Sequence, residues 1–324
     1  MLATRLGGTT FKTLSLEQKS AKYRRLLYLC RKFPTMQILD GKALANQIKE
    51  EIRQEVDQIR EQGGKIPHLA AVLIGENPAS EVYVRNKVRS CEQVGFKSSL
   101  IRRPAEVQQE EVLEIVQQLN NDPDIDGFIV QLPLPGHIDE QAVTLAIDPE
   151  KDVDGFHPVN IGRMTLGLPA YLPATPYGIL EILSRYGVET SGKEVVVLGR
   201  SSIVGTPMSI LMSRKGQPGN ATVTVCHSRT KDLAVHTRRA DILIAAIGRP
   251  EMVTADMVKE GAVIIDVGIN RVEDSSRSRG YRLCGDVNYA ELEPKVAAMT
   301  PVPGGVGPMT VVSLMQNTLK ASKR

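Results

Sequence analysis

From Met36 to its C-terminus, the chain alternates between apolar runs of strand length and segments with helical periodicity. Apolar residues recur every three or four positions between Leu44 and Val56, which predicts a helix over 42–62, and the apolar run at 69–74 predicts the strand that follows. Strands that alternate with helices form βαβ units, and such units build parallel sheets. The pattern therefore predicts an α/β protein.

The alternation falls into two series, and a proline-containing turn at 173–176 opens the second one. At roughly 150 residues per domain, 324 residues correspond to about two domains. We therefore predict two α/β domains joined near 150–175. Further helices are predicted at 80–94, 107–119, 176–186, 205–214, 230–239 and 308–321, and further strands at 98–101, 127–132, 194–198, 222–226, 241–246 and 262–267.

Positive charge is concentrated at the beginning of the chain. Residues 1–35 contain eight basic residues and the single acid Glu17, which leaves 32 basic and 36 acidic residues in the other 289. A basic, hydroxyl-rich and acid-poor extension is typical of a mitochondrial or plastid transit peptide. Met36 stands directly before the first organised segment, so we expect residues 1–35 to be a disordered extension of no function, with a transit peptide and a binding tail as the alternatives. The mildly acidic body argues against nucleic acid as a partner.

The rest of the composition narrows the class further. No apolar run approaches the roughly 20 residues of a membrane span, so no membrane association is predicted. The four cysteines are scattered without a C-x-x-C pair, which favours a reducing compartment. Aromatic residues make up only 4% of the chain, and there is no Trp, which argues against base stacking on aromatic platforms. We expect a cytoplasmic protein, or an organellar one if residues 1–35 are a transit peptide.

A strand–turn–helix segment in the second series has the form of a dinucleotide-binding turn. The predicted strand 194–198 runs into Gly199-Arg200-Ser201-Ser202-Ile203-Val204-Gly205, and a predicted helix follows. Free N–H groups and the positive end of the helix dipole favour a pyrophosphate at such a turn. The spacing departs from G-x-G-x-x-G, so an ordinary tight turn stays open as the alternative.

The end of the next strand distinguishes between the two nicotinamide cofactors. A cofactor without a ribose 2′-phosphate is usually held by an acid at this position, but here the strand ends in His227-Ser228-Arg229-Thr230. Arg200 and Arg229 can pair with a 2′-phosphate, and Ser228 can donate a hydrogen bond to it. The residues favour NADP over NAD, with a solvated surface position for Arg229 as the alternative.

The first series contains a second group of polar residues. Tyr83 and Lys87 lie one turn apart on one face of a predicted helix. Burial beside an aromatic ring favours the neutral form of a lysine and suits it to carry a proton, whereas a simple surface contact is the alternative. Gln131 ends a predicted strand, where open α/β sheets place ligand-binding groups. Asp152 and Asp154 complete no hard-cation loop, so no metal site is predicted.

Residues 301–310 have the sequence Pro-Val-Pro-Gly-Gly-Val-Gly-Pro-Met-Thr, with three prolines and three glycines in the first eight positions. Glycine permits close approach of the backbone to a ligand, and proline suits the beginning of a helix. A plain linker needs neither property. The segment is therefore predicted to be a shaped, ligand-binding loop in front of the C-terminal helix.

Together these segments resemble the bifunctional methylenetetrahydrofolate dehydrogenase/methenyltetrahydrofolate cyclohydrolase family, the bacterial FolD type. Six motifs occur in the family's order between Met36 and the C-terminus, and six in order are far more specific than any one. One position departs from the family, since Ala174 stands where a cysteine is usual. The matching motifs are Tyr83–Lys87, Val130–Pro135, Lys151–Gly155, Gly199–Gly205, Asp266–Asn270 and Pro301–Thr310.

The resemblance implies roles for the matching residues. Lys87 is implied as the proton carrier of methenyl hydrolysis and Gln131 as its hydrogen-bond partner. Tyr83 is implied to pack on the folate, and Asp154, in a carboxylate pair with Asp152, to hold the amino edge of the pterin. The other implied folate-binding residues are Val130, Leu132, Pro303, Gly304, Gly305, Val306 and Gly307. The implied cofactor-binding residues are Gly199, Arg200, Ser201, Ser228 and Ile269.

The resemblance also implies a fold and an activity. The fold is a folate-binding catalytic domain, 36–152 with 303–324, and a Rossmann-like NADP-binding domain, 153–302, with the C-terminal helix packed back on the first domain. The activity is NADP-dependent oxidation of 5,10-methylenetetrahydrofolate to 5,10-methenyltetrahydrofolate, followed by hydrolysis to 10-formyltetrahydrofolate, in a homodimer. A monofunctional enzyme, an NAD-dependent enzyme and a non-catalytic nucleotide- or nucleic-acid-binding protein remain alternatives.

Overall fold

The computed structural model describes residues 36–324, so the predictions for residues 1–35 lie outside the described residues. Over this range the strands form a six-stranded, a three-stranded and a two-stranded sheet. Every strand pair in the two larger sheets is parallel, as the alternation predicts. The strands are β1 (Gln37–Ile38), β2 (His68–Ile74), β3 (Lys97–Arg103), β4 (Gly127–Val130), β5 (Glu194–Leu198), β6 (Thr222–Cys226), β7 (Ile242–Ala245), β8 (Val263–Asp266), β9 (Asn270–Glu273), β10 (Tyr281–Cys284) and β11 (Ala298–Met299).

The helices cover the parallel sheets, and their amphipathic patterns explain where they form. In the first helix, the buried residues include Leu44, Ile48, Ile52 and Val56, all on one face, and the side chain of Asp40 caps its first turn. None of the helices in 36–324 is long and apolar enough to cross a membrane. The helices are α1 (Gly41–Glu61), α2 (Pro78–Val94), α3 (Gln109–Asn121), α4 (Glu140–Ala146), α5 (Pro158–Thr165), α6 (Ala174–Arg185), α7 (Gly205–Ser213), α8 (Leu233–Thr237), α9 (Tyr289–Leu292) and α10 (Val306–Ala321).

The three-stranded sheet belongs to the first half of the chain and has the order β3-β2-β4. The central strand β2 is buried along its whole length. Its side chains alternate between two hydrophobic clusters, with Leu69 and Leu73 in one and Val72 and Ile74 in the other. A strand covered on both faces has a continuous apolar sequence rather than an alternating one, which is why this run is uniformly apolar.

The six-stranded sheet has the order β1-β11-β8-β7-β5-β6. Strand β5 is covered on both faces in the same way, with Val195 and Val197 in one cluster and Val196 and Leu198 in another. The short strand β1 pairs with β11 and therefore joins the edge of this sheet, although it lies at the beginning of the described chain. Strand β6 forms the opposite edge and pairs only with β5 among the described strands.

The C-terminal helix α10 packs on α1, α2 and α6, which confirms the prediction that it returns to the first half of the chain. Asn317, which is buried, donates hydrogen bonds to the carbonyls of Val153 (2.8 Å) and Leu172 (2.9 Å). Met315 contacts Cys91 of α2, with 3.7 Å between the sulfur atoms. These contacts tie the end of the chain to the segment that connects its two halves.

Most long elements lie within two residues of their predicted bounds, but several short ones differ. The predicted strand 127–132 ends at Val130. The predicted helix 230–239 is reduced to Leu233–Thr237, because Asp232 adopts a left-handed conformation (φ 46°) that a helix cannot continue through. Helices α4 and α5 and the antiparallel pair β9–β10 were not predicted, since each is too short to display a clear periodicity.

Candidate active site

The face of α2 that points into the molecule carries the lysine singled out by the sequence. Val84 and Cys91 on this helix are fully buried, and Lys87 between them is only 8% exposed. Nζ of Lys87 donates a hydrogen bond to Oε1 of Gln131 over 3.2 Å. Tyr83, one turn earlier, is 42% exposed. An apolar ring left open beside a buried, hydrogen-bonded lysine is an arrangement suited to a ligand.

Gln131 is held on both sides. It follows β4 directly, and its backbone N–H donates to the carbonyl of Val72 in β2 over 2.9 Å. Its side-chain amide N–H donates to the carbonyl of Leu132 over 2.7 Å. Because the amide nitrogen is occupied there, the amide oxygen faces Lys87. These two hydrogen bonds fix the position of the Gln131 side chain, so its amide oxygen is directed at Lys87.

A cavity of about 310 Å³ brings the predicted catalytic residues together. Tyr83, Lys87, Gln131 and Asp154 line it, although they come from α2, from the end of β4 and from the loop before α5. Asp154 is half-buried. The other lining residues are Leu132, Phe156, Ala174, Thr175, Ile203, Val204, Val267, Ile269, Val306, Gly307, Thr310 and Val311. A cavity with mainly apolar walls and a few convergent polar groups is typical of a small-molecule site.

The two carboxylates expected to act as a pair have different surroundings. Asp152 is 2% exposed and accepts hydrogen bonds from the backbone N–H groups of Phe156 (3.2 Å) and His157 (2.8 Å) and from the Asn160 side chain (2.9 Å). Burial raises the pKa of Asp152 to about 6. Asp152 therefore holds the turn in place, and only Asp154 lines the cavity with the lysine.

The proline- and glycine-rich loop is pressed against the beginning of α1. A Cβ atom on Gly41 would lie 1.9 Å from the carbonyl oxygen of Gly305, so only glycine allows this approach. The N–H of Lys42 donates to the carbonyl of Gly304 over 2.8 Å. Val306 and Gly307 line the 310 Å³ cavity, whereas the predicted Pro303, Gly304 and Gly305 line a neighbouring cavity of about 450 Å³. Val130 lines neither of these two cavities.

The predicted phosphate-binding turn follows β5 and borders a third cavity, of about 320 Å³. Gly199 has φ 131°, and a Cβ atom there would lie 2.2 Å from the carbonyl oxygen of Ala246. Ser201 accepts hydrogen bonds from the N–H groups of Val204 (3.2 Å) and Gly205 (3.4 Å) at the beginning of α7. The turn is therefore compact and leads into the N-terminus of α7, and helix N-termini favour anions.

This 320 Å³ cavity, the nucleotide cavity, contains most of the residues expected to select the cofactor. Arg200 and Ser228 follow the adjacent parallel strands β5 and β6, line the cavity and are exposed. No carboxylate lines this cavity within the part of the chain that the structure describes. Arg229 does not line it, and the predicted cofactor residue Ile269 lies in the cavity of Lys87 instead. Arg249, which the sequence reasoning did not identify, lines the nucleotide cavity as a second cation.

The turn at 199–205 connects the two sites. Its first residues line the nucleotide cavity, and Ile203 and Val204 line the cavity of Lys87. Ile203 and Ile269 are each 46% exposed in that second cavity. The turn therefore borders both cavities, and exposed apolar side chains lie on the side of the lysine. In residues 36–324, no group of three His, Cys, Asp or Glu side chains is arranged to hold a metal ion.

Two buried aspartates shape the loops around these cavities, and no motif of the sequence analysis predicted this function. Asp286 accepts hydrogen bonds from the N–H groups of Ile247 (2.7 Å), Gly248 (3.0 Å) and Arg249 (2.9 Å). Asp266, at the end of β8, accepts from the N–H of Gly268 over 3.0 Å and from that of Asp286 over 2.9 Å. Burial raises the pKa of Asp266 to about 7. The pair fixes the loops after β7 and β8.

The fold and the site define a class of protein: an α/β enzyme with a nucleotide cavity at one parallel sheet and a buried lysine–glutamine pair at the other. Two family models match the chain, the tetrahydrofolate dehydrogenase/cyclohydrolase catalytic domain over 39–154 and the NAD(P)-binding domain of the same enzymes over 173–324. The chain belongs to the tetrahydrofolate dehydrogenase/cyclohydrolase family, which confirms the resemblance drawn from the motifs.

Individual relatives agree with this assignment. The bifunctional protein FolD of Cytophaga hutchinsonii is 61% identical over 287 residues, which is 89% of this chain and 99% of the relative. The crystal structure of the Campylobacter jejuni FolD enzyme is 43% identical, with a TM-score of 0.84 over 89% of this chain and 99% of that one. The Trypanosoma brucei enzyme, solved with NADP cofactor and an inhibitor, is 41% identical, with a TM-score of 0.85 over 90% of this chain and 99% of that one.

Proposed function

We propose that this protein is a bifunctional one-carbon folate enzyme. It oxidises 5,10-methylenetetrahydrofolate to 5,10-methenyltetrahydrofolate with NADP and then hydrolyses the product to 10-formyltetrahydrofolate. The observation that carries the proposal is the Lys87–Gln131 hydrogen bond of 3.2 Å in a cavity that shares the turn 199–205 with the nucleotide site. The family and its relatives, named as dehydrogenase/cyclohydrolase enzymes, support the same function.

The nucleotide cavity suits NADP, which supplies the hydride acceptor when bound. The first residues of the glycine turn line this cavity just before α7, and the N-terminus of a helix favours a pyrophosphate. Arg200 and Ser228 offer a cation and a hydroxyl donor to a 2′-phosphate, and no carboxylate among the described lining residues opposes it. The role of this chain in the oxidation is to align the folate carbon with the cofactor, which lowers the barrier by orientation alone.

The hydrolysis is assigned to the residues around Lys87. In the proposal, the pterin lies along Tyr83, and Asp154 accepts hydrogen bonds from its amino edge. Lys87 Nζ takes a proton from the water that attacks the methenyl carbon, and Gln131 holds the lysine nitrogen in place for the transfer. A C–O bond to that carbon forms and one C–N bond breaks, with net release of one proton. Leu132, Val306 and Gly307 exclude other water from the site.

The residues 36–152 with 303–324 form the folate-binding domain, and 153–302 form the NADP-binding domain. The packing of α10 on α1 and α2 supports the assignment of 303–324 to the first domain, and its packing on α6 lies across the proposed boundary. The protein is a homodimer: β6 is an open sheet edge on which Val225 is 39% exposed, and an open edge is a pairing surface. Sedimentation of the purified protein as a monomer at micromolar concentration would contradict the dimer.

We assign the protein to the cytoplasm, with an organelle as the alternative. The described cysteines are all free and buried, which supports the cytoplasm or another reducing compartment. If residues 1–35 are a transit peptide, a fluorescent fusion of the full chain enters an organelle and a fusion that starts at Met36 does not. Equal cytoplasmic fluorescence from both fusions supports the cytoplasm.

The activity is tested by mixing the purified protein with methylenetetrahydrofolate and either NADP or NAD. Absorbance of the reduced cofactor and of the methenyl compound is followed together, with spontaneous methenyl hydrolysis as the control. Reduction of NADP without accumulation of the methenyl compound supports both activities. Accumulation to the level of the control indicates a monofunctional dehydrogenase, preference for NAD contradicts the cofactor assignment, and no reduction with either cofactor contradicts the enzyme.

A further inference from the structure

Arg249 belongs to the loop that follows β7. Strand β7 pairs with β5 on the side opposite β6, so Arg249, Arg200 and Ser228 follow three neighbouring parallel strands. The carboxyl ends of such strands meet at one edge of the sheet, where α/β folds bind ligands. All three residues line the nucleotide cavity of about 320 Å³. Arg249 therefore belongs to the nucleotide site by position, although it is distant from Arg200 in the chain.

The backbone of Arg249 is fixed by Asp286, which is fully buried. The N–H of Arg249 donates to Oδ1 of Asp286 over 2.9 Å, and the N–H groups of Ile247 and Gly248 donate to Oδ2. Arg249 itself is exposed and lines the cavity. The loop is thus anchored through its backbone, and the guanidinium of Arg249 is left available to a ligand.

The guanidinium of Arg249 has no counterion within residues 36–324, and neither has that of Arg200. The acid nearest to Arg249 in the sequence is Glu251, and both of its oxygens accept hydrogen bonds from Arg282, at 2.9 Å and 2.8 Å. No carboxylate lines the cavity in the described part of the chain. Two unopposed cations at one cavity favour a ligand group with two negative charges.

A 2′-phosphate is such a group, because a phosphate monoester carries about −1.5 to −2 charges at pH 7. The pyrophosphate of NADP is assigned to the N-terminus of α7, whose dipole favours it without Arg249. The 2′-phosphate depends on side chains, and Arg200 alone supplies only one positive charge to it. A guanidinium binds phosphate through two parallel N–H donors, so a second arginine adds both charge and hydrogen bonds.

We infer that Arg249 is a second arginine on the 2′-phosphate and that it sets the preference for NADP over NAD together with Arg200 and Ser228. This inference rests on the proposed function, from which it takes the cofactor, and adds a specificity-determining residue to it. Arg200 and Arg249 reach the phosphate from the ends of two adjacent strands. Arg229, although it is next to Ser228 in the sequence, does not line the cavity and is not part of this pair.

The test measures Kd by titration calorimetry of the full-length protein, without folate, for NADP, NAD and adenosine 2′,5′-bisphosphate, which has the 2′-phosphate but no nicotinamide. In Arg249→Gln, we expect Kd for NADP and for the bisphosphate to rise by about tenfold and Kd for NAD to change by less than about twofold. The double variant Arg200→Gln/Arg249→Gln should lose most of the preference for NADP. The matched control is Lys231→Gln, which removes an exposed cation from the loop after β6 outside the cavity and should keep the wild-type Kd values.

The outcomes separate this inference from the proposed function. If the wild-type protein binds neither cofactor, or binds NAD more tightly than NADP, the cofactor assignment of the proposed function fails. If it prefers NADP and Arg249→Gln keeps the wild-type Kd for NADP, only the role of Arg249 is overturned. An equal loss of affinity for NADP and NAD means that Arg249 contacts a part that both cofactors share, such as the adenine ring, and also overturns the inference. A circular dichroism spectrum like that of the wild type shows that each variant is folded.

Discussion

Replacement of Asp286 by asparagine is the most direct test of how the nucleotide cavity is built. Asp286 is fully buried, and each of its carboxylate oxygens accepts two hydrogen bonds. One oxygen faces the N–H groups of Ile247 and Gly248, and the other faces the N–H of Arg249 and the amide of Asn270 at 2.9 Å. Whichever way the new amide is turned, its NH₂ group replaces an oxygen that two donors approach.

The expected cost follows from this geometry. Two hydrogen bonds to a charged group are lost, at about 1.5–3 kcal/mol each. The neutral amide is easier to bury than a carboxylate, which offsets part of the loss. We expect Asp286→Asn to lower the free energy of unfolding by about 2–4 kcal/mol. Because Ile247 and Arg249 line the nucleotide cavity, we also expect the Kd for NADP to rise by at least about tenfold.

Urea unfolding followed by far-ultraviolet circular dichroism measures the stability, and titration calorimetry measures NADP binding. The control is Asp241→Asn, since Asp241 is a partly exposed carboxylate outside the nucleotide cavity that pairs with Lys259 and accepts a hydrogen bond from the N–H of Glu194 over 3.0 Å. Exposed pairs of this kind contribute about 0–1 kcal/mol, so this variant should bind NADP like the wild-type protein. An Asp286→Asn protein within 1 kcal/mol of the wild type, with unchanged NADP affinity, would refute the reasoning.

Three other predictions concern single residues. Lys87→Met should slow methenyl hydrolysis by at least about 100-fold while the circular dichroism spectrum is retained; hydrolysis at the wild-type rate would contradict the role of the lysine. Arg200→Ala should raise KM for NADP by about tenfold and KM for NAD by less than twofold, and equal changes would show that Arg200 does not contact the 2′-phosphate. The pKa of Asp266 is raised to about 7 in the folded protein, against about 4 in an unfolded chain. Asp266 therefore contributes up to about 4 kcal/mol to the free energy of unfolding below pH 4, and this contribution is lost as the pH rises to about 7. Asp266→Asn removes this titration, so the difference in unfolding free energy between the wild type and this variant should change from pH 4 to pH 8. A constant difference over this range would contradict the prediction.

The long elements of the fold could be predicted from the sequence because their patterns are local. The prediction of 42–62 corresponds to helix Gly41–Glu61, and the predicted strands at 194–198 and 222–226 have the bounds found in the structure. Continuous apolar runs indicated strands covered on both faces, and β2 and β5 are both of this kind. Short elements such as α5 and β9 contain too few residues for a period to emerge.

The candidate site was predictable to the extent that it lies within motifs. Tyr83 and Lys87 share a helix face, and the glycine turn follows a strand, so both could be recognised from spacing. The difference between Asp152 and Asp154 could not be recognised in this way. Two carboxylates two residues apart are alike in the sequence, and only the folded chain buries Asp152 against the backbone of the following loop and leaves Asp154 in the cavity.

By itself, the sequence determined the class of fold, the family and the residues that carry its motifs, because each of these depends on residues near one another in the chain. The tertiary structure alone decided which distant groups meet. Lys87 contacts Gln131, 44 residues away, and Asp286 holds the loop at 247–249 from about 40 residues further on. The 450 Å³ cavity likewise needs α1 and α2 to pack side by side. Such contacts follow from how the helices cover the sheets, and no local pattern records them.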